Sequence, residues 1–313
     1  MRDTRHDARL FSRRARPGPV IWRALPVVVL AATLGLCRGQ AAWADLGTDV
    51  ACMIQSVARV TSSARVLKGA AIYGCDDGYS LMGAFISPGE SISVAVSVLE
   101  GKGYAFLAGA DDNAADVDIR VTDSAGKEIC KDTGKDLAPA VSFKASGSGD
   151  YTVTISLPEA RRRSFCALLT LKEGGRPMAP EQLNQAMAKY VLAAVALGKT
   201  WAGGKVCVSE EPGAWILYGA ILGQRQTASM SSIPLATHRH MFVAVGSDKA
   251  RSVELSLFAD PNRFLEADGE GVNPAMFQYA TSLGTRYVLK TQLLEASEPS
   301  LVITGMFDLL DPR

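Results

Sequence analysis

Apolar and polar residues alternate over short stretches along much of the chain. Ile92, Val94, Val96 and Val98 are separated by Ser93, Ala95 and Ser97. Val117, Ile119 and Val121 alternate with Asp118, Arg120 and Thr122, and Tyr151, Val153 and Ile155 with Thr152, Thr154 and Ser156. A period of two sends one set of side chains to a core and the other to water, so each stretch is predicted to be a half-buried antiparallel strand. Turn clusters fall between them: Ser87-Pro88-Gly89, Gly101-Lys102-Gly103, Ser124-Ala125-Gly126 and Ser146-Gly147-Ser148-Gly149. About seven or eight short strands at this spacing describe a sandwich or jelly roll. A helical period occurs twice, over Ala51–Ala64 and over Glu181–Leu197, where Leu183, Met187, Tyr190, Val191 and Ala194 share one face.

The pattern is written twice. A shift of 136 residues lays 80–171 on 216–307 without a gap, with 17 identities in 92 pairs against about six expected from ordinary composition. Leu81/Leu217, Gly83/Gly219, Phe106/Phe242, Val117/Val253 and Tyr151/Tyr287 are among them. Fixed-period similarity of this kind marks one structural unit repeated. The expectation is mainly β: two tandem jelly-roll-like antiparallel β-sandwiches, each preceded by a short helix. Gly174-Gly175-Arg176-Pro177-Met178-Ala179-Pro180 reads as the linker, and the expected division is a leader over 1–44, a first unit over 45–175 and a second over 176–313.

Composition changes this picture at one end. The 313 residues are 48% hydrophobic and 21% charged with a net charge of +1, which excludes a disordered or multi-span membrane chain. That neutrality is a sum of opposites. Residues 1–44 hold eight arginines against Asp3 and Asp7, and the other 25 basic and 30 acidic residues leave the remainder near −5. The Arg-rich start, the apolar run from Ala24 to Leu36 and then Ala42-Trp43-Ala44 have the order of a secretory signal with its cleavage site. The apolar run falls short of the ~20 residues that cross a bilayer. The expected location is therefore periplasmic or secreted, with no transmembrane span after cleavage.

One stretch carries a family resemblance. Asp116-Val117-Asp118-Ile119-Arg120-Val121-Thr122-Asp123-Ser124-Ala125-Gly126 is followed by Pro139-Ala140-Val141-Ser142-Phe143 and by Gly149-Asp150-Tyr151-Thr152-Val153. Residues 80–172 thereby resemble the bacterial pre-peptidase C-terminal domain. Residues 216–308 resemble it through the internal repeat, with Ser252 and Asn262 in place of the first aspartate and the turn glycine. The resemblance implies a compact jelly-roll-like accessory module that serves binding or secretion rather than chemistry.

Cysteines and charged clusters supply the candidate chemistry. Beyond the leader stand Cys52, Cys75, Cys130, Cys166 and Cys207, an odd number without a CxxC spacing. An oxidising compartment makes Cys130 with Cys166, and Cys52 with Cys75, the candidate disulfides; small buried hydrophobes are the alternative. Asp111, Asp112, Asp116 and Asp118 offer hard oxygen ligands to calcium, though without EF-hand spacing, and a solvated acidic loop is the simpler reading. His238 and His240 stand i, i+2 on a predicted strand, so both rings face one way and begin a transition-metal site that lacks a third ligand nearby in sequence. The first repeat has Lys102 and Tyr104 at those places. Arg161-Arg162-Arg163 reads as a basic hairpin tip, and Trp201 and Trp215 as buried rings.

No G-x-S-x-G, H-E-x-x-H, P-loop or dinucleotide fingerprint occurs. A mildly acidic chain with 7% aromatics gives no support to nucleic-acid binding. The reading is a noncatalytic exported protein that presents two sandwich modules to a protein or glycan of the cell envelope, with no cofactor beyond the candidate calcium. The alternatives are an envelope-acting hydrolase with an unrecognised site, which clustering of His238, His240 and carboxylates would favour, and a structural envelope component held through the odd cysteine.

Overall fold

Helix α1 (Ala41–Lys68) buries Leu46, Val50, Met53, Val57, Val60 and Ala64, spaced four and three residues apart as one helical stripe. A computed structural model describes residues 41–68, 72–74, 78–201, 204–259, 263–268, 271–282 and 284–311. The expected leader falls mostly outside the described residues. After the short strand β1 (Ile72–Gly74), the chain runs through β2 (Leu81–Ile86), β3 (Ser91–Val98), β4 (Gly103–Ala110) and β5 (Ala114–Thr122). It continues with β6 (Glu128–Asp132), β7 (Ala140–Lys144), β8 (Gly149–Ala160) and β9 (Ser164–Lys172). The expected alternation appears in β3, β5 and β8, where Ile92, Val98, Val117, Ile119, Val121, Tyr151, Val153 and Ile155 are buried.

These strands form two sheets, β2-β9-β4-β7 and β3-β8-β5-β6, the arrangement of an eight-stranded jelly roll. Phe106, Phe143 and Tyr151 stack between them, with centroids 6.1 and 5.5 Å apart. Strand β10 (Arg176–Met178) closes on β1, and helix α2 (Pro180–Thr200) follows, with proline in its first turn where no amide donor is needed. The second half repeats the first after a short β11 (Lys205–Val208): β12 (Leu217–Leu222), β13 (Thr227–Pro234), β14 (Arg239–Gly246), β15 (Ala250–Ala259), β16 (Arg263–Asp268), β17 (Ala275–Ala280), β18 (Arg286–Ala296) and β19 (Ser300–Leu310). Its sheets are β12-β19-β14-β17 and β13-β18-β15-β16, the same order. The predicted class, mainly β with two tandem antiparallel sandwiches and a helix before each, is the observed one.

The two large sheets are hydrogen-bonded into one of 11 strands. Strand β2 lies antiparallel to β12, with Leu81 opposite Gly219, Met82 opposite Tyr218 and Gly83 opposite Leu217. Adding 136 to one side of this list reproduces the other, so the seam has a local two-fold through Met82 and Tyr218. The bonds obey it too: Ser80 N donates to Gly219 O at 2.7 Å, and Ile216 N to Gly83 O at 2.8 Å. Each leucine meets the other repeat's glycine, and a Cβ on Gly219 would stand 2.9 Å from Leu81 Cβ. Helix α1 packs on β4, β9 and β11, and α2 on β14 and β19. The large sheet is therefore covered by helices on one face and by the small sheets on the other.

The candidate Cys130–Cys166 bridge is not formed: both thiols are free. Cys166 lies on β9, between β2 and β4, whereas Cys130 lies on β6, which packs over β7. Two strand spacings of ~4.8 Å and a sheet separation of ~10 Å exceed the ~7 Å that a disulfide spans between Cα atoms. Cys52 is also a free, buried thiol, and its suggested partner Cys75 lies outside the described residues.

Gly219→Ala should destabilise the protein by about 1–3 kcal/mol, because its Cβ meets a Cβ fixed to the opposing backbone. Gly147→Ala, with nothing within 4 Å, should cost close to nothing; urea denaturation of both variants checks this.

Candidate functional site

The two histidines meet their third partner across the sheet. His240 on β14 stands directly opposite Asp308 on β19, and its side chain is fully buried. Its Nδ1 lies 2.9 Å from Asp308 Oδ1, and His238 Nε2 lies 3.1 Å from the same oxygen. The imidazole centroids are 4.2 Å apart. All three atoms are shut off from solvent, yet none closes a contact with the angles of a hydrogen bond. Among the described residues, no other group of three His, Cys, Asp or Glu brings its ligand atoms so close.

Local structure holds this cluster in place. His240 Nε2 donates to Ala236 O at 3.1 Å, which turns Nδ1, the other ring nitrogen, toward Asp308. Thr281 N donates to His238 O at 3.0 Å, and Thr281 Oγ1 donates to Ala236 O and His238 O, so one buried threonine pins the loop before β14. Burial works to raise the Asp308 carboxyl, but His240 and His238 outweigh it and hold the group below its ordinary range. Asp308 was missed in the sequence because it lies 68 residues from His240, and only strand register joins them. The repeat held a signal all the same: Lys102, Tyr104 and Lys172 occupy the equivalent positions, and Tyr104 stands opposite Lys172.

The acidic candidates do not converge. Asp111 is fully buried and spends its carboxylate on the fold, accepting from Asn113 N at 2.8 Å and Phe165 N at 2.9 Å. Asp112 is exposed and pairs with Arg59 at 2.9 Å. Asp116 and Asp118 lie along β5, where burial and then the neighbouring charge of Asp116 push the Asp118 carboxyl up. The arginine run is likewise engaged in structure. Arg163 bridges Asp49 of α1 at 3.1 Å and Glu210 at 2.5 Å, and Arg162 Nε donates to Asn113 Oδ1. Trp215 is buried and donates to Ser93 O at 3.1 Å; Trp201 is half-buried under Arg239.

The outer faces of the small sheets differ. In the first repeat, cross-strand rows read Ser91/Ser156/Asp118, Ser93/Thr154/Arg120 and Ala95/Thr152/Thr122. In the second they read Thr227/Gln292/Glu254 and Ser229/Lys290/Ser256, and Val288/Phe258/Phe264 end the face. Thr152 and Thr122 have become Val288 and Phe258. Phe264 is 60% exposed and meets Phe258 edge-on at 5.7 Å, with Lys290 Nζ 4.2 Å above the Phe258 ring.

No known protein family matches the chain, and no curated protein matches it. Among solved structures, the chain is similar to PliG from Aeromonas hydrophila, a periplasmic lysozyme inhibitor of g-type lysozyme (10% identity, 31% of this chain and 88% of that one, TM-score 0.24). It is also similar to the tandem CBM51 modules of a family 98 glycoside hydrolase from Streptococcus pneumoniae (12% identity, 79% and 90%, TM-score 0.22). The secreted serine protease VesC from Vibrio cholerae is a third (9% identity, 82% and 54%, TM-score 0.23). Overlaps this low carry no argument about the chain.

Burial raises the Cys52 thiol to about 12 and Cys130 to about 11, and pushes Cys166 higher still. These thiols stay protonated at neutral pH, so a thiolate-selective aromatic disulfide reagent should label them only on unfolding. Their protonated forms favour the folded state, and stability should decline as the pH rises above 9.0 toward the raised values. Labelling kinetics with and without denaturant, and urea melts in alkaline buffer, check both.

Proposed function

We propose that the chain is an exported, noncatalytic binding protein whose second sandwich holds a glycan of the cell envelope on its outer sheet. The observation that carries this reading is the exposed Phe264 set edge-on against Phe258, where the first repeat pairs Thr122 with Glu128. Outward apolar side chains cost solubility and contribute nothing to the core, so a partner is their natural use. The exposed Phe264 ring matches the apolar face of a sugar, and Lys290, Gln292 and Glu254 stand in the adjoining rows to bond its hydroxyls. The Arg-rich leader expected over 1–44 supports export, and the resemblance to pre-peptidase C-terminal domains supports an accessory role. No helix among the described residues is long and apolar enough to cross a membrane.

The gathering of His238, His240 and Asp308 favours a second reading, an envelope-acting hydrolase. Against it stands the burial of His240 and of all three facing atoms, which closes the cluster to a polymeric substrate. Titration calorimetry of the full chain against soluble peptidoglycan fragments and other envelope oligosaccharides separates the two. Binding should be weakened about tenfold by Phe264→Ala, the loss of one stacked ring, with the sugars recovered intact. Unchanged binding in that variant, or cleavage of the sugar, would overturn the proposal.

A further inference from the structure

We propose that His238, His240 and Asp308 form a binding site for a divalent transition metal of the zinc class, built into the second repeat and absent from the first. Two imidazole nitrogens and a carboxylate oxygen face one another, shut off from solvent and without a hydrogen bond between them. Because His240 Nε2 donates to Ala236 O, Nδ1 is the nitrogen that faces an Asp308 oxygen 2.9 Å away. A ring nitrogen and a carboxylate oxygen at that distance repel unless a proton or a metal ion stands between or beside them. A proton on His240 is one answer, but it would form a hydrogen bond, and the contact lacks the angles of one. A metal ion is the other. Ligand atoms on a tetrahedral zinc at its usual bond lengths sit about 3.3 Å apart, close to the 2.9 and 3.1 Å found here. A coordinating imidazole that gives its second N–H to a backbone carbonyl is also the usual support of a metal-bound histidine, and His240 has it.

The first repeat serves as an internal control. Its Lys102, Tyr104 and Lys172 occupy the same three positions, and two ammonium groups repel a cation. Cys207, opposite Asp308 on β11, lies outside the convergent group. The donor set is thus two imidazoles and a carboxylate, which leaves the fourth position to water. Two nitrogens and one oxygen suit zinc or its neighbours and disfavour calcium, which takes six to eight oxygens. This site stands independently of the glycan reading, since it lies on the inner face of the other sheet.

The test uses the full chain without an affinity tag. Equilibrium dialysis against zinc should give one ion per chain with a dissociation constant in the micromolar range or tighter. Cobalt in its place should give the strong visible absorption of a tetrahedral site. His238→Ala, at the less buried of the two histidines, should weaken binding at least tenfold, and Asp308→Asn should do the same. Cys207→Ser should leave binding unchanged. Absence of stoichiometric binding, binding unaffected by both His238→Ala and Asp308→Asn, or loss in Cys207→Ser alone would each overturn the proposal. A titratable His240–Asp308 ion pair without metal uptake would assign the cluster to a buried proton instead.

Discussion

The burial of the 11-stranded sheet on both faces constrains everything else in this molecule. A strand that faces helices on one side and a second sheet on the other has no wet side chains, so each residue along it must be apolar or find an internal partner. Strands β4, β9, β14 and β19 meet that demand over nearly their whole length. The helices are recruited by the same demand. Gly109 has no Cβ where Val60 and the Ser56 carbonyl of α1 come closest, and Ser56 Oγ bonds Phe165 O at 2.7 Å. Glycine and serine at these points let a helix lie directly on a sheet.

That division into layers explains what could be read from the chain. Half-buried strands such as β3, β5 and β8 announce themselves by alternation, because water selects every second residue. In the doubly buried strands, Ala105 to Ala110 or Phe165 to Leu171, no such selection acts, and a run of apolar residues fits a helix as well as a strand. The repeat supplied what periodicity withheld, since aligning β4 with β14 and β9 with β19 fixed the unit without knowing its pairing. The edge-to-edge junction of β2 and β12 had no sequence signature beyond the conserved spacing of Leu81, Gly83, Leu217 and Gly219.

The candidate cluster divides in the same way. His238 and His240 were legible because they share one strand and one face. Asp308 was not, since the register of β14 on β19 comes from tertiary structure, and an aspartate near the end of a chain looks like any solvated acid. The disulfide expectation failed for a related reason: Cys130 and Cys166 sit on good strands, but which strands stack over which is decided by the jelly-roll winding. Asp111 shows the converse. An acidic residue that reads in sequence as part of a solvated loop is consumed by two backbone amides, and Ser247 does without that charge in the second repeat.

The seam through Met82 and Tyr218 has the arithmetic of a homodimer contact, in which one surface meets its own copy in reverse. Joining both copies in one polypeptide replaces a bimolecular encounter with an effective concentration on the order of millimolar. Assembly then no longer depends on how much protein the cell makes. It also breaks the equivalence that a true dimer enforces, for a substitution in one half is no longer copied into the other. Histidines and an aspartate in one sandwich, with lysines and a tyrosine in its twin, are a difference that only a covalently joined pair can keep.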